Sequence, residues 1–201
     1  MTGATAGTSP DQDTATTATS PVAVLIGPPG AGKSTVARLV AERLGLQARD
    51  TDADVERAAG MSVAEIFVEQ GEPTFRALER TAVSRALSEH RGVLAIGGGA
   101  VLDPGTEAAL RGHAVVFLDV EITDAARRIG LNRDRPLLLG NPRAQWTRLM
   151  NERRPVYQRL AMAVVPTDGL TADQVAAAVL AALGLPEGPD ALAPAGGGRK
   201  P

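Results

Sequence analysis

The sequence contains no cysteine, which excludes disulfide bonds and thiolate metal sites. Aromatic residues make up only 2% of the chain, so the core must be built mainly from alanine, valine, leucine and isoleucine. No apolar run approaches the roughly 20 residues of a membrane-spanning helix, and the start of the chain lacks the basic and apolar segments of a secretory signal. We therefore expect a cytoplasmic protein that does not bind membranes.

The net charge of the chain is also close to zero. The formal value of −2 argues against a general nucleic-acid binder. Apolar residues (44%) and charged residues (22%) are in the balance of a globular domain. Residues 1–20 and 186–201 consist mostly of small and polar residues, proline and glycine, which cannot offset the entropy lost on ordering. The sequence predicts two disordered tails around one domain at residues 21–185.

Within that domain, short apolar runs alternate with helical patterns. Strands are predicted at residues 22–26, 46–49, 93–96, 115–118 and 163–165. Helices are predicted at residues 33–44, from the Ser62–Glu65 capping box, and at 72–89, 143–153 and 171–183. This alternation indicates an α/β fold with a parallel sheet covered by helices on both faces. Ligands of such sheets bind at the carboxyl ends of the strands.

The first predicted strand runs directly into a phosphate-binding loop. Gly27–Ser34 reads GPPGAGKS and matches the pattern G-x-x-x-x-G-K-[ST] between a strand and a helix. Its backbone amides and the helix start can surround phosphate oxygens, while Lys33 reaches the β and γ phosphates and Ser34 offers a hydroxyl to Mg²⁺. The predicted ATP-binding residues are Gly30, Ala31, Gly32, Lys33, Ser34 and Thr35.

Two further motifs follow predicted strands. Asp50 and Asp52 come after the second strand, one residue apart on a predicted extended segment, so their carboxylates should point to the same side. One carboxylate can hold Mg²⁺ and the other can face an acceptor hydroxyl. The alternative is a solvated turn, or Asp52 acting as a helix cap. The triplet Gly97, Gly98 and Gly99 follows the third strand and allows a ligand to approach the backbone closely.

Several arginines could converge on the same strand ends and bind carboxylate or phosphate groups. Among them, Arg135 begins an Arg-Pro-Leu-Leu segment in a loop that also contains Gly140 and Pro142. Because a charged helical stretch follows this loop, we expect it to be a mobile lid that closes over phosphates.

The ordered set of motifs resembles the shikimate kinase family. The shared motifs are the phosphate loop, Asp-x-Asp, Phe75-Arg76, the glycine triplet, Arg135-Pro136-Leu137-Leu138, and Arg153-x-Pro155-x-Tyr157. The resemblance implies a three-layer fold with a five-stranded parallel sheet, a small helical region after the second strand, and a lid. It also implies transfer of the γ-phosphate of ATP to the 3-hydroxyl of shikimate with Mg²⁺, by a monomer. Residues 166–170 depart from the family, many of whose members have Asp-Thr and a basic residue there.

By this resemblance, Lys33, Asp52 and Arg135 are the catalytic residues. The substrate would contact Asp52, Arg76, Gly97, Gly98, Gly99 and Arg153, with the two arginines on its carboxylate. Arg135 would bridge substrate and phosphate, Arg128 would lie against adenine, and Ser34 with Asp50 would hold the metal.

Three other functions share parts of this pattern. A sugar-acid kinase of the gluconate type must also bind a carboxylate beside hydroxyl groups. A nucleoside monophosphate kinase would use its arginines on a second phosphate and has no role for Asp52 with Gly98. A nucleotide-dependent switch would keep the phosphate loop but has no use for a second anion pocket.

Overall fold

The computed structural model describes residues 20–129 and 141–186. Five strands form one sheet in which every neighbouring pair is parallel, in the order β2-β3-β1-β4-β5. The strands are β1 (Ala23–Ile26), β2 (Ala48–Asp50), β3 (Val93–Ala95), β4 (Val115–Asp119) and β5 (Ala163–Pro166). This sheet confirms the predicted α/β fold.

Eight α-helices lie in the described part of the chain. They are α1 (Lys33–Arg43), α2 (Thr51–Ala59), α3 (Val63–Glu69), α4 (Gly71–Glu89), α5 (Pro104–Leu110), α6 (Ile122–Ile129), α7 (Pro142–Leu160) and α8 (Ala172–Ala182). A 3₁₀ turn at Ala100–Leu102 precedes α5. None of the described helices is long and apolar enough to cross a membrane.

The central strands are apolar because both faces of the sheet are covered. All four residues of β1 and all three of β3 are buried, as are Val115 to Leu118 of β4. Phe117 stacks on Tyr157 of α7 with ring centroids 5.0 Å apart. Continuous apolar runs of this kind are typical of parallel strands, which is why these strands could be predicted.

A second, smaller core lies between α2, α3 and α4. It consists of the buried residues Val55, Ile66, Phe75 and Ala82. Helix α3 begins with the predicted capping box, in which the Ser62 hydroxyl accepts from the Glu65 amide at 3.2 Å and the Glu65 carboxylate accepts from the Ser62 amide at 2.7 Å. This is the helical region that the resemblance implied after the second strand.

Three predictions concern residues outside the described ranges. They are the two tails, apart from Ser20 and Pro186, and the lid segment that contains Arg135. The domain boundaries and the lid therefore stay predictions.

Candidate active site

The phosphate loop joins β1 to α1. Gly30 and Gly32 have φ angles of 86° and 85°, in the left-handed region that favours glycine. The Lys33 ammonium donates to the carbonyls of Gly27 at 2.9 Å and Pro28 at 3.2 Å. The lysine thus crosses the inside of the loop, with its charge where phosphate groups bind in this motif.

The acidic turn differs from the prediction in one respect. Asp52 does not share an extended segment with Asp50, because α2 already begins at Thr51. Asp50 is the helix cap, and its carboxylate accepts from the Asp52 amide at 2.9 Å. Its other oxygen accepts from the Ser34 hydroxyl. The alternative in which Asp52 caps the helix is therefore wrong, and Asp52 lies in the first turn of α2 on the wall of the cleft.

The glycine triplet passes very close to other groups. The Gly97 amide donates to the buried Thr51 hydroxyl at 3.0 Å, which fixes the triplet against α2. A Cβ atom at Gly97 would lie 2.5 Å from Asp52 Oδ1 and 2.7 Å from Glu79 Oε1. A Cβ at Gly98 would lie 2.9 Å from the Gly27 carbonyl. The triplet is glycine because side chains and backbone already fill the space around it.

Glu79 is a residue of the site that the sequence analysis missed. Its side chain is 3% exposed and accepts from Arg76 Nη1 at 2.7 Å, while the exposed Glu72 accepts from Arg76 Nη2 at 2.9 Å. Burial raises the pKa of Glu79 above its ordinary value, against the opposing effect of the Arg76 charge, and the nearby Asp52 carboxylate raises the pKa further. The two glutamates hold the Arg76 guanidinium in place at the cleft wall.

Arg153, on α7, lines the same cleft, and its charge is close enough to Glu79 to oppose the rise in the pKa of that carboxyl group. Only 4% of Arg153 is exposed, and its Nε has no hydrogen-bond partner among the described residues. A buried guanidinium with an unused donor favours an anionic ligand, since burying an uncompensated polar group costs free energy. The adjacent Arg154 instead pairs with Asp119 at the end of β4.

Tyr157 fixes the end of α7 to the glycine triplet. Its hydroxyl donates to the Gly98 carbonyl at 2.6 Å, and the residue is fully buried. Burial raises the pKa of Tyr157 to about 12, so the phenol keeps its proton at neutral pH. The backbone position of Gly98 therefore depends on α7 as well as on the sheet.

One cleft of about 1160 Å³ brings these residues together. It is lined by every predicted site residue that the structure describes: Gly30, Ala31, Gly32, Lys33, Ser34, Thr35, Asp50, Asp52, Arg76, Gly97, Gly98, Gly99, Arg128 and Arg153. Arg135 lies outside the described residues.

Arg128 also lines the cleft, together with apolar residues at and just before the start of α8. Arg128 donates to the hydroxyl of Thr167 at 2.9 Å and to its carbonyl. Leu170, Ala172 and Val175 line the same region. Arg128 and these apolar side chains therefore line the same cleft as the phosphate loop.

The oxygen atoms beside the phosphate loop suit Mg²⁺. Ser34 and Asp50 provide a hydroxyl and a carboxylate in direct contact. No group of three or more histidine, cysteine, aspartate or glutamate side chains in the described ranges could enclose a metal on its own. A few protein oxygens completed by substrate phosphates and water is the usual arrangement for Mg²⁺, so these residues fit the ion.

The parallel sheet, the phosphate loop and the adjoining acceptor pocket define a P-loop kinase. A family model described as shikimate kinase matches residues 29–184. The chain belongs to the shikimate kinase family.

Relatives and solved structures are similar over most of the chain. A shikimate kinase from Streptomyces avermitilis is 57% identical over 169 residues, covering 84% of this chain and 99% of that protein. One from Thermobifida fusca is 58% identical over 156 residues, covering 78% and 91%. The structure of shikimate kinase from Acinetobacter baumannii in complex with shikimate has a TM-score of 0.77 at 33% identity, covering 80% of this chain and 90% of that one.

Replacing Glu79 with glutamine should change how stability depends on pH. A carboxyl group whose pKa is higher in the folded chain stabilises the fold fully below its unfolded pKa, and this contribution is lost as pH rises through the folded pKa. Relative to Glu79→Gln, the wild-type free energy of unfolding should therefore fall as pH rises from about 4.3 and then level off above the raised pKa. Urea unfolding at a series of pH values measures this difference.

Glu72→Gln is the matched control, because Glu72 contacts the same arginine but is exposed. At neutral pH its free energy of unfolding should differ from that of the wild type by no more than about 1 kcal/mol, because an exposed ion pair contributes little. Parallel curves for wild type and Glu79→Gln would contradict the effect of burial on Glu79.

Proposed function

We propose that this chain transfers the γ-phosphate of ATP to the 3-hydroxyl of shikimate, giving shikimate 3-phosphate and ADP in aromatic amino-acid biosynthesis. The observation that carries the proposal is the second anion site. Arg76 and the buried Arg153 line the same cleft as the phosphate loop, beside Asp52 and the glycine triplet. A carboxylate and hydroxyl groups on one small ring match this set of charges and acceptors.

The phosphate loop and the acceptor pocket would act mainly by positioning. Lys33 would neutralise charge on the transferred phosphoryl group, and the loop amides would hold the other phosphates. Asp52, at the cleft wall between them, would accept a hydrogen bond from the attacking hydroxyl and orient it. Phosphoryl transfer needs little activation of the nucleophile, so alignment and charge stabilisation account for most of the catalysis.

Ser34 and Asp50 are the residues that we propose for Mg²⁺. Bound there with ATP, the ion would neutralise phosphate charge. Asp50 also caps α2, so the same carboxylate that would face the ion fixes the start of the helix that carries Asp52.

We also propose that the enzyme acts as a cytoplasmic monomer. Both halves of the cleft, the phosphate loop and the arginine pair, come from one chain, so the site needs no residue from a second copy. The net charge of −2 gives no general attraction for nucleic acid.

A sugar-acid kinase is the second candidate because it shares the need for a carboxylate site. A coupled assay for ADP release separates the candidates when shikimate, gluconate and nucleoside monophosphates are each offered with Mg²⁺ and ATP. Of these acceptors, we expect only shikimate to be phosphorylated. Turnover with gluconate, or ATP hydrolysis that no acceptor changes, would refute the proposal.

Arg153→Ala should weaken shikimate binding by about 1.5–3 kcal/mol, or roughly ten- to a hundredfold, as for a lost charged hydrogen bond. ATP affinity measured without shikimate should hardly change. Calorimetric titration of each ligand tests this, and Arg76→Ala should behave in the same way. Arg154→Ala is the control, because this neighbour pairs with Asp119 and does not line the cleft. An equal loss of affinity for both ligands in Arg153→Ala would mean that Arg153 is misassigned.

Asp52→Asn should lower turnover by about 100-fold or more, within the usual range for groups that assist proton transfer. The amide keeps the shape and one acceptor oxygen but loses the charge beside the hydroxyl. ATP affinity should be largely retained through Ser34 and Asp50. The matched control is Asp54→Asn in the same helix, since Asp54 pairs with Arg49 and Arg57 away from the cleft. Steady-state kinetics near the wild-type rate in Asp52→Asn would leave Asp52 without a role in the chemistry.

A further inference from the structure

One face of α7 touches both parts of the active site. The residues on this face are Trp146, Met150, Arg153 and Tyr157, which are 5%, 3%, 4% and 0% exposed. Their spacings of four, three and four residues follow the helical period of about 3.6. Of the three that carry nitrogen or oxygen atoms, Arg153 lines the cleft. Trp146 and Tyr157 instead contact the backbone of the phosphate loop and of the glycine triplet.

Trp146 contacts the phosphate loop directly. Its indole Nε1 donates to the Pro29 carbonyl at 3.1 Å. Pro29 lies within the loop and lines the cleft, whereas Trp146 does not. The indole therefore holds the loop from behind, through a backbone carbonyl that does not compete with the inward-facing amides for phosphate.

Tyr157 makes the corresponding contact at the other end of the face, with the Gly98 carbonyl at 2.6 Å. These two hydrogen bonds tether α7 to the backbone of the site. Arg153 lies between them, seven residues after Trp146 and four before Tyr157. At about 1.5 Å per residue, the indole and the arginine are roughly 10 Å apart along the helix axis. The helix therefore holds Arg153 at a fixed distance from the residue that contacts the phosphate loop.

Side-chain contacts hold the C-terminal half of α7 in place. Pro155 lies inside α7 and cannot donate a hydrogen bond to the carbonyl of Asn151. Arg154 pairs with Asp119 and Tyr157 with Gly98 on either side of this position. The segment that carries Arg153 is therefore fixed by contacts with the sheet and the glycine triplet, and Trp146 adds the link to the phosphate loop.

We propose that Trp146 is a positioning residue that couples the two substrate sites, by tying the phosphate loop to the helix that presents Arg153. A nucleotide that orders the loop also fixes the position of the Pro29 carbonyl. Because the Trp146 indole donates to this carbonyl, α7 is then held in place as well. Shikimate that binds Arg153 fixes α7 and, by reciprocity, the loop. The inference rests on the proposed function, since it requires ATP at the loop and the substrate carboxylate at Arg153.

The test is a calorimetric measurement of shikimate affinity with and without Mg²⁺–ADP. In the wild type, ADP should tighten shikimate binding. Trp146→Phe keeps a ring on the buried face but removes the donor. Its shikimate affinity without nucleotide should change less than about twofold, while the tightening by ADP should fall by about three- to tenfold or disappear, as expected from one neutral hydrogen bond. The effect of shikimate on ADP affinity must fall by the same factor.

Met150→Ala is the matched control. Met150 lies on the same buried face, but its thioether makes no hydrogen bond to the loop, so the variant loses packing and keeps the tether. We expect a lower melting temperature with the coupling retained. Equal loss of coupling in both variants would show that Trp146 acts only through stability, and would overturn the proposal.

Tyr157→Phe provides a second measurement if Trp146→Phe folds poorly. It removes the other tether without removing the ring that stacks on Phe117, and it should also reduce the coupling. Wild-type protein that neither binds nor phosphorylates shikimate would refute the proposed function itself. Wild type that does both, with no tightening by ADP or with coupling unchanged in Trp146→Phe, would overturn the role of Trp146 alone.

Discussion

The architecture of the site depends on the close passage of the glycine triplet between the sheet and its covering helices. Gly97 is fixed by the Thr51 hydroxyl on α2, and its Cα faces both Asp52 and Glu79 at distances that leave no room for a methyl group. Gly98 packs on the phosphate loop and is held by Tyr157. Helices α2, α4 and α7 and the phosphate loop thus all contact one short stretch of backbone. They approach it this closely because the stretch carries no side chains.

Charge within the cleft is arranged around this stretch. Two carboxylates, Asp52 and Glu79, approach each other near Gly97, and the Asp52 carboxylate raises the pKa of Glu79. Arg76 provides a cation for Glu79 at 2.7 Å. Because the guanidinium is bound on one side by glutamates of its own helix, its remaining donors are presented in a fixed direction. The Arg76 side chain has therefore lost most of its conformational freedom before any anion binds.

Much of the fold was predictable because the buried strands are continuous apolar runs and the phosphate loop has a strict pattern. The start of α2 was harder to predict, since β2 has only three residues and Asp50 belongs to both the strand and the helix cap. Glu79 was missed because a glutamate in a helix normally faces water. Its position on the face of Phe75, Ala82 and Val83 was the available signal. The contact between Trp146 and Pro29 joins residues 117 positions apart, and nothing in local sequence indicates it.

The scarcity of aromatic residues has an optical consequence. The chain contains one tryptophan, one tyrosine and three phenylalanines. The single indole is Trp146, which is nearly buried and bonded to the backbone of the phosphate loop. All tryptophan emission from this protein therefore comes from the one indole that is hydrogen-bonded to the phosphate loop. The native enzyme carries its own spectroscopic probe of the loop, with no other indole to obscure the signal.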